Sequence, residues 1–395
     1  MSEPTSISTS TYLDHGATTP LRPEVAQAMA EARAQPLGNP TGSHRPAQHA
    51  RRLLEEARDE VAAQLGRDPG EIIFTSGGTE SANLAVFGAL GAAVREGRPT
   101  VVMCSAVEHP AVRQSCLAAA QWPGVTCHEL AVDETGSVDL DALAAGLLQA
   151  ETALVAVMLA NNETGVVQPL QRVVDTVREL ALAARVFTDA VQATSFLDLA
   201  GTTAGADLVA VSAHKVGGPV GAGALAVRPP TDLVARQHGG GQERERRSGT
   251  QDVVGAVGLA VALRLAGAER SEAVRRVGGL RDRLAAGLAE SVAGLHRTVP
   301  AGVEVLPGHL HLCLKGVERE ELLLALSEQG VCASGGSSCA SGALEASYVL
   351  AAMGVPEELA RGAIRFTLGY DTTGADIERA LAIVPGVVAS LRHDP

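Results

Sequence analysis

The sequence predicts an α/β fold built on a largely parallel sheet, and three observations carry that reading. Short apolar runs alternate with longer Ala/Leu/Arg-rich stretches of helical period, the pattern left by parallel strands joined through helices. The chain has 395 residues, 46% of them apolar, enough to build a sizeable core in one large domain and a smaller one. Finally, several of the apolar runs lead into polar, glycine-bearing segments, where open α/β sheets bind their ligands.

Strands are expected at Glu71–Thr75, Thr100–Ser105, Ala153–Leu159, Arg185–Thr188, Asp207–Ser212 and Gly223–Val227. Helical stretches lie between them, at Ala47–Leu65, Ser81–Arg95, Leu140–Gln149 and Leu170–Ala184. The sharpest change of composition is His238–Thr250, rich in glycine and arginine, followed by a long helical region from Val253 to Ala293 and a second α/β segment. The expected organisation is an arm over residues 1–20, a large domain over 21–260 and a small domain over 261–395.

A formal charge of −13 argues against nucleic acid or an anionic membrane as a partner. No apolar run is long enough to span a bilayer, and Met1–Ser10 lacks the basic and apolar regions of a signal peptide. The reading is a soluble, cytoplasmic protein. Six cysteines without a C-x-x-C pair make neither a zinc pattern nor a disulfide framework.

The segments after the strands form a consistent set. Ser76-Gly77-Gly78-Thr79-Glu80 leads directly into a helix, and its glycines and Thr79 hydroxyl make a phosphate cradle. Glu108-His109-Pro110, Asn161-Asn162-Glu163-Thr164-Gly165, Asp189-Ala190-Val191-Gln192 and Ser212-Ala213-His214-Lys215 follow the next four strands. Singly, each polar residue reads as a cap or a solvated loop residue. Together they match the needs of pyridoxal 5'-phosphate: a lysine for the Schiff base, an acid for the pyridine nitrogen and a helix N-terminus for the phosphate. Lysine occurs only at 215 and 315. Lys215 is at a strand end with the other groups, whereas Lys315 closes a separate expected strand, His309–Lys315. Asp189, ahead of an expected helix, faces the ring nitrogen. With aromatics so scarce, His109 is the group to stack on the ring.

Several motifs resemble the cysteine desulfurase branch of the class V aminotransferases. They are Tyr12-Leu13-Asp14-His15-Gly16-Ala17-Thr18-Thr19-Pro20, Ile73–Ser81, Asn161–Pro169, Gly239-Gly240-Gly241-Gln242-Glu243-Arg244, Ser338-Cys339-Ala340-Ser341-Gly342 and Ile364–Gly369. The resemblance implies a fold-type I homodimer with active sites at the subunit interface. It implies Lys215 as Schiff-base lysine, Asp189 and His109 against the ring, and Asn162 and Gln192 on its substituents. It further implies Gly78, Thr79, Ser212 and His214 around the phosphate, with Thr250 supplied by the other subunit, and Arg365 on the substrate carboxylate, with Asn162 beside it. His15-Gly16, Gly78 and Val220 are variations within these motifs that remove no needed group.

Cys339 separates the chemistries open to such a site. It stands in Ser334-Gly335-Gly336-Ser337-Ser338-Cys339-Ala340-Ser341-Gly342, where small neighbours leave the sulfur unhindered. A nucleophilic thiolate needs that access. Cys104, Cys116, Cys127 and Cys313 read as inert apolar residues, and Cys332 as core. The expected reaction converts L-cysteine to L-alanine, with sulfur passing to Cys339 as a persulfide and then to an unidentified acceptor protein. His109 either assists proton transfer or only stacks. Selenocysteine lyase, cysteine sulfinate desulfinase and C–S lyase are the alternatives on the same scaffold; a non-catalytic sulfur relay would not need Lys215, Asp189, His109 and Arg365. His309 and His311 share a strand face, but two ligands do not make a metal site, and none is expected.

Overall fold

The computed structural model describes residues 10–336 and 347–392. Strand β1 (Thr11–Tyr12) opens the chain, and β2 (Ile72–Thr75), β3 (Val101–Ser105), β4 (Thr126–Leu130), β5 (Thr152–Ala156), β6 (Arg185–Asp189), β7 (Leu208–Ser212) and β8 (Gly223–Val227) form a seven-stranded sheet. Its order is β2-β8-β7-β6-β5-β3-β4, and only β8 runs against its neighbours. Six strands therefore point their carboxyl ends at one edge, where ligands bind in such sheets.

Period-two alternation assigns the strand side chains to two covered faces. Met103, Val186, Val209 and Val211 enter one core, while Val102, Cys104, Phe187, Leu208 and Ala210 enter the other. The helix Gly78–Arg95 covers the second face with Leu84, Val86 and Leu90.

A 39-residue helix, Val253–Ser291, links this sheet to the rest of the chain. Asp252 caps it by accepting from the Gly255 amide, and at 1.5 Å per residue it spans about 58 Å. Its first half is buried, from Val253 to Ala266, and packs on the helices Pro23–Ala34 and Arg45–Leu65. Its second half buries only Val277, Leu284 and Leu288 and lies against the helix Gly374–Leu391. Residue 260, where the sequence reading divides large from small domain, thus falls within one continuous helix.

Beyond it, β9 (Leu295–Arg297), β10 (His309–Leu314) and, after the two-residue strand β11 (Val331–Cys332), β12 (Ala363–Thr367) make a three-stranded antiparallel sheet of β9, β10 and β12. The amino-terminal segment crosses back to this region. β1 pairs with β11, and Asp14 bridges to Thr367. Three local expectations are corrected. Asp189 is followed by a turn rather than a helix. Cys127 and Cys332 are half-buried rather than core, because each sits at the margin of its sheet. The strand β4 was not anticipated: Thr126-Cys127-His128-Glu129-Leu130 is mostly solvent-facing at the sheet edge and lacks an apolar run.

Candidate active site

Glycine shapes one wall of the site. Gly77 adopts φ 145° at the turn from β2 into the helix Gly78–Arg95, a conformation that side chains disfavour. A Cβ on Gly223 would lie 2.6 Å from the Gly77 Cα, and one on Gly78 would lie 2.9 Å from Val191 Cγ2. These close approaches bring the helix N-terminus, with its free N–H groups, up to the sheet edge.

A cavity of about 230 Å³ opens there, lined by Gly78, Thr79, His109, Asn162, Asp189, Gln192, Ser212, His214 and Lys215. Nine of the residues expected from the sequence are thus brought together. Met158 and Val191 complete the lining and were not anticipated. Met158 falls inside the expected strand Ala153–Leu159 and Val191 is the apolar residue between Asp189 and Gln192, so no polar signal marks either. Glu108 was passed over beside His109. Its buried carboxyl takes the Met158 N–H at 2.6 Å, and burial pushes its pKa well above the ordinary carboxyl range.

The side chains are held from several elements. His109 ends β3's loop and caps the helix Pro110–Ala119, its Nδ1 accepting from the Ala111 amide at 3.1 Å. The ring proton of this neutral imidazole is therefore on Nε2. Burial also lowers the His109 pKa, against the opposing pull of Asp189. Asp189, buried at the end of β6, takes the Val191 N–H at 2.9 Å; burial raises its pKa, while His109 and Lys215 work against that shift. Lys215 Nζ donates to the carbonyls of Gly16 and Ala17 at 2.5 and 2.7 Å. Burial, reinforced by Arg365, pushes its pKa down to about 8. His214 is pushed to about 4 by burial and by Lys215.

Arg365 is 3% exposed, on β12 beside the cavity rather than in its lining. Its Nη1 donates to the Asn162 carbonyl at 2.7 Å and, at 3.5 Å, to that of Gly336. Its Nη2 donates to Asp14 Oδ1 at 2.6 Å. Thr250 is elsewhere, exposed in a separate hollow with Ser76 and Arg247. Lys315 is exposed just past β10. Cys339 lies outside the described residues. The segment containing it is flanked by Gly336 and Ser347, and both flanks meet Glu163: Ser347 Oγ donates to Glu163 Oε2 at 2.6 Å, and a Cβ on Gly336 would lie 3.3 Å from the Glu163 side chain.

Lys215, Asp189, His109 and the N-terminus of the helix Gly78–Arg95 thus meet at one sheet edge, and the family model described as aminotransferase class-V matches residues 11–380. The chain belongs to that family. It is 40% identical over 387 residues to an IscS-like cysteine desulfurase from Mycobacterium tuberculosis, covering 97% of both chains. It is 39% identical over 381 residues to the cysteine desulfurase IscS of Dictyoglomus turgidum, covering 96% of this chain and 95% of that one. A solved structure described as a NifS-like protein superposes with a TM-score of 0.90 at 32% identity, covering 97% of this chain and all of the other. Within the class V aminotransferases, this chain is a member of the cysteine desulfurase family.

Proposed function

We propose that the chain is a cysteine desulfurase that releases L-alanine from L-cysteine and takes the sulfur on Cys339 as a persulfide, for delivery to an acceptor protein. The observation that carries this reading is the meeting of Lys215, Asp189 and His109 in one cavity, with the buried guanidinium of Arg365 joined to its rim through Asn162.

The cavity suits pyridoxal 5'-phosphate. Asn162 Oδ1 is buried without a hydrogen-bond partner among the described residues, an acceptor that suits a bound group carrying a donor. The approach of Gly77 and Gly78 leaves room at the helix N-terminus that a Cβ would fill. Gly78, Thr79, Ser212 and His214 would hold the phosphate, Asp189 the pyridine nitrogen, His109 one ring face, and Asn162 and Gln192 the ring substituents. When bound, the cofactor supplies the electron sink for charge developing on the substrate carbons.

The remaining chemistry belongs to the chain. Arg365 holds the cysteine carboxylate, a role that its planar fork suits. The Lys215 amine, with its pKa near 8, is basic enough to take the α-proton yet neutral often enough to do so at physiological pH. His109, protonated on Nε2, can hold or return a proton across the ring face. The Cys339 thiolate then attacks the substrate sulfur: an S–S bond forms, the C–S bond breaks with its electrons on carbon, and protonation there completes the methyl group of alanine. Gly336, against Arg365, is three residues before Cys339, a reach of at most roughly 10 Å, which supports transfer to that thiol. The homodimer is part of the same proposal, with Thr250 reaching the neighbour's phosphate rather than its own.

Product analysis tests the reading. Incubation of the cofactor-loaded protein with L-cysteine should yield alanine, with matching sulfur recovered as sulfide when a thiol reductant is supplied. Pyruvate and ammonia in place of alanine would assign a C–S lyase instead.

A further inference from the structure

The guanidinium of Arg365 is already engaged by a carboxylate of the chain itself. Asp14 Oδ1 is 2.6 Å from Nη2, and this contact is distinct from the others that Arg365 makes. The carbonyls of Asn162 and Gly336 orient the guanidinium plane through Nη1. Nε is buried and has no partner among the described residues. In a guanidinium, Nε–H and one Nη2–H point the same way and form the side-on fork that takes a carboxylate through two bonds. Among the described residues half of that fork is thus unpaired, and Asp14 holds the nitrogen of the other half.

The two partners differ in exposure. The Arg365 side chain is 4% exposed and that of Asp14 is 20% exposed. The arginine is held by backbone carbonyls, and the aspartate is the more exposed member of the pair. The backbone on either side of Asp14 is pinned. The Leu13 carbonyl accepts from the Thr367 amide, the His15 amide donates to the Thr367 carbonyl, the Gly16 amide donates to Thr367 Oγ1, and His15 Nε2 meets Asp371 Oδ1 at 2.7 Å. Rotation of the Asp14 side chain is therefore the movement open to this segment.

We infer that Asp14 is a resting counter-ion of Arg365, which the α-carboxylate of the incoming amino acid displaces from Nη2, so that substrate affinity is set by an exchange of carboxylates. This inference rests on the proposed role of Arg365 in holding the substrate carboxylate. Two anions at contact distance on one cation repel each other, which makes the exchange competitive. Asp14 thereby lowers affinity for the substrate while keeping the buried guanidinium paired in its absence, as a buried charge requires.

Asp14→Asn keeps the oxygen acceptor and removes the charge. A neutral acceptor is the weaker partner for a cation, so the variant should bind L-cysteine about three- to tenfold more tightly. Binding is read as the dissociation constant from the absorbance change of cofactor-loaded Cys339→Ala protein, which removes the thiol proposed to take the sulfur. The gain should also show as a lower KM in protein with Cys339 intact. Asp14→Glu, which restores the charge, should return the constant towards that of the native side chain. In an Arg365→Ala background, Asp14→Asn should change nothing. Weaker or unchanged binding in Asp14→Asn, with Arg365→Ala still impaired, would overturn the exchange and leave the role of Arg365 standing. Unchanged binding in Arg365→Ala would instead remove that role, and the inference with it.

Discussion

Lys215 is enclosed by groups that disfavour its charge more than they support it. Burial and the Arg365 guanidinium push its pKa to about 8, against the attraction of Asp14 and Asp189. Only the neutral amine attacks an aldehyde, so the cofactor-free protein should capture pyridoxal phosphate faster as pH rises, with the rate levelling off above about pH 8. Stopped-flow absorbance between pH 6 and 10 measures this. A rate still climbing at pH 10 would mean an ordinary lysine. The identity of this residue was legible because lysine is so rare in the chain. Its partners were less so. Asp14 belongs to the motif Tyr12–Pro20, but nothing in that motif reveals that its carboxylate meets an arginine 351 residues away. The carbonyls of Gly16 and Ala17 carry no side-chain signal at all.

At the scale of the element, the sheet order depends on strands that the sequence marks unequally. The inner strands are short apolar runs covered on both faces, and they were legible. β4 escaped because an edge strand with a solvated face needs few apolar residues. β10 was legible as a strand, but not the fate of its two histidines. His309 and His311 are 5% and 3% exposed, and no third ligand joins them among the described residues. Burial, reinforced by Arg365, pushes His311 down to about 3 and His309 well below the usual imidazole range. The unfolded chain binds these protons near pH 6.5 and the folded chain does not, so their contribution to stability is intact above about pH 6.5 and falls as pH drops towards 3. At pH 5 the neutral, buried His311 should therefore cost about 2 kcal/mol, and His309 acts in the same direction. Urea unfolding at pH 7 and pH 5, at fixed protein concentration, should show a smaller loss in His311→Gln by that amount. An equal loss in both proteins would mean that His311 is already protonated or that its strand opens.

At the scale of the whole molecule, the site draws on the sheet edge, the amino-terminal segment and β12, which are far apart in sequence. The proposed dimer adds a fourth source, since Thr250 is exposed and outside its own chain's cavity. Mixed dimers of Lys215→Ala and Thr250→Ala subunits contain one site with both residues intact, and at limiting cofactor they should recover up to half the native alanine production. If verified mixed dimers do no better than the parent variants, Thr250 does not serve the neighbouring site.

The proposal as a whole turns on the thiol that should receive the sulfur. The proposed cofactor pocket, Lys215 and Arg365 do not involve Cys339, so Cys339→Ala should fold, bind pyridoxal phosphate and bind L-cysteine. The direct measurement is alanine formation by native and Cys339→Ala protein, together with mass spectrometry of the protein after one turnover without reductant. The native chain should make alanine and gain one sulfur atom on the peptide carrying Cys339, and the variant should do neither. Alanine formation at the native rate by Cys339→Ala would contradict the account, because sulfur would then leave the substrate without passing through the protein.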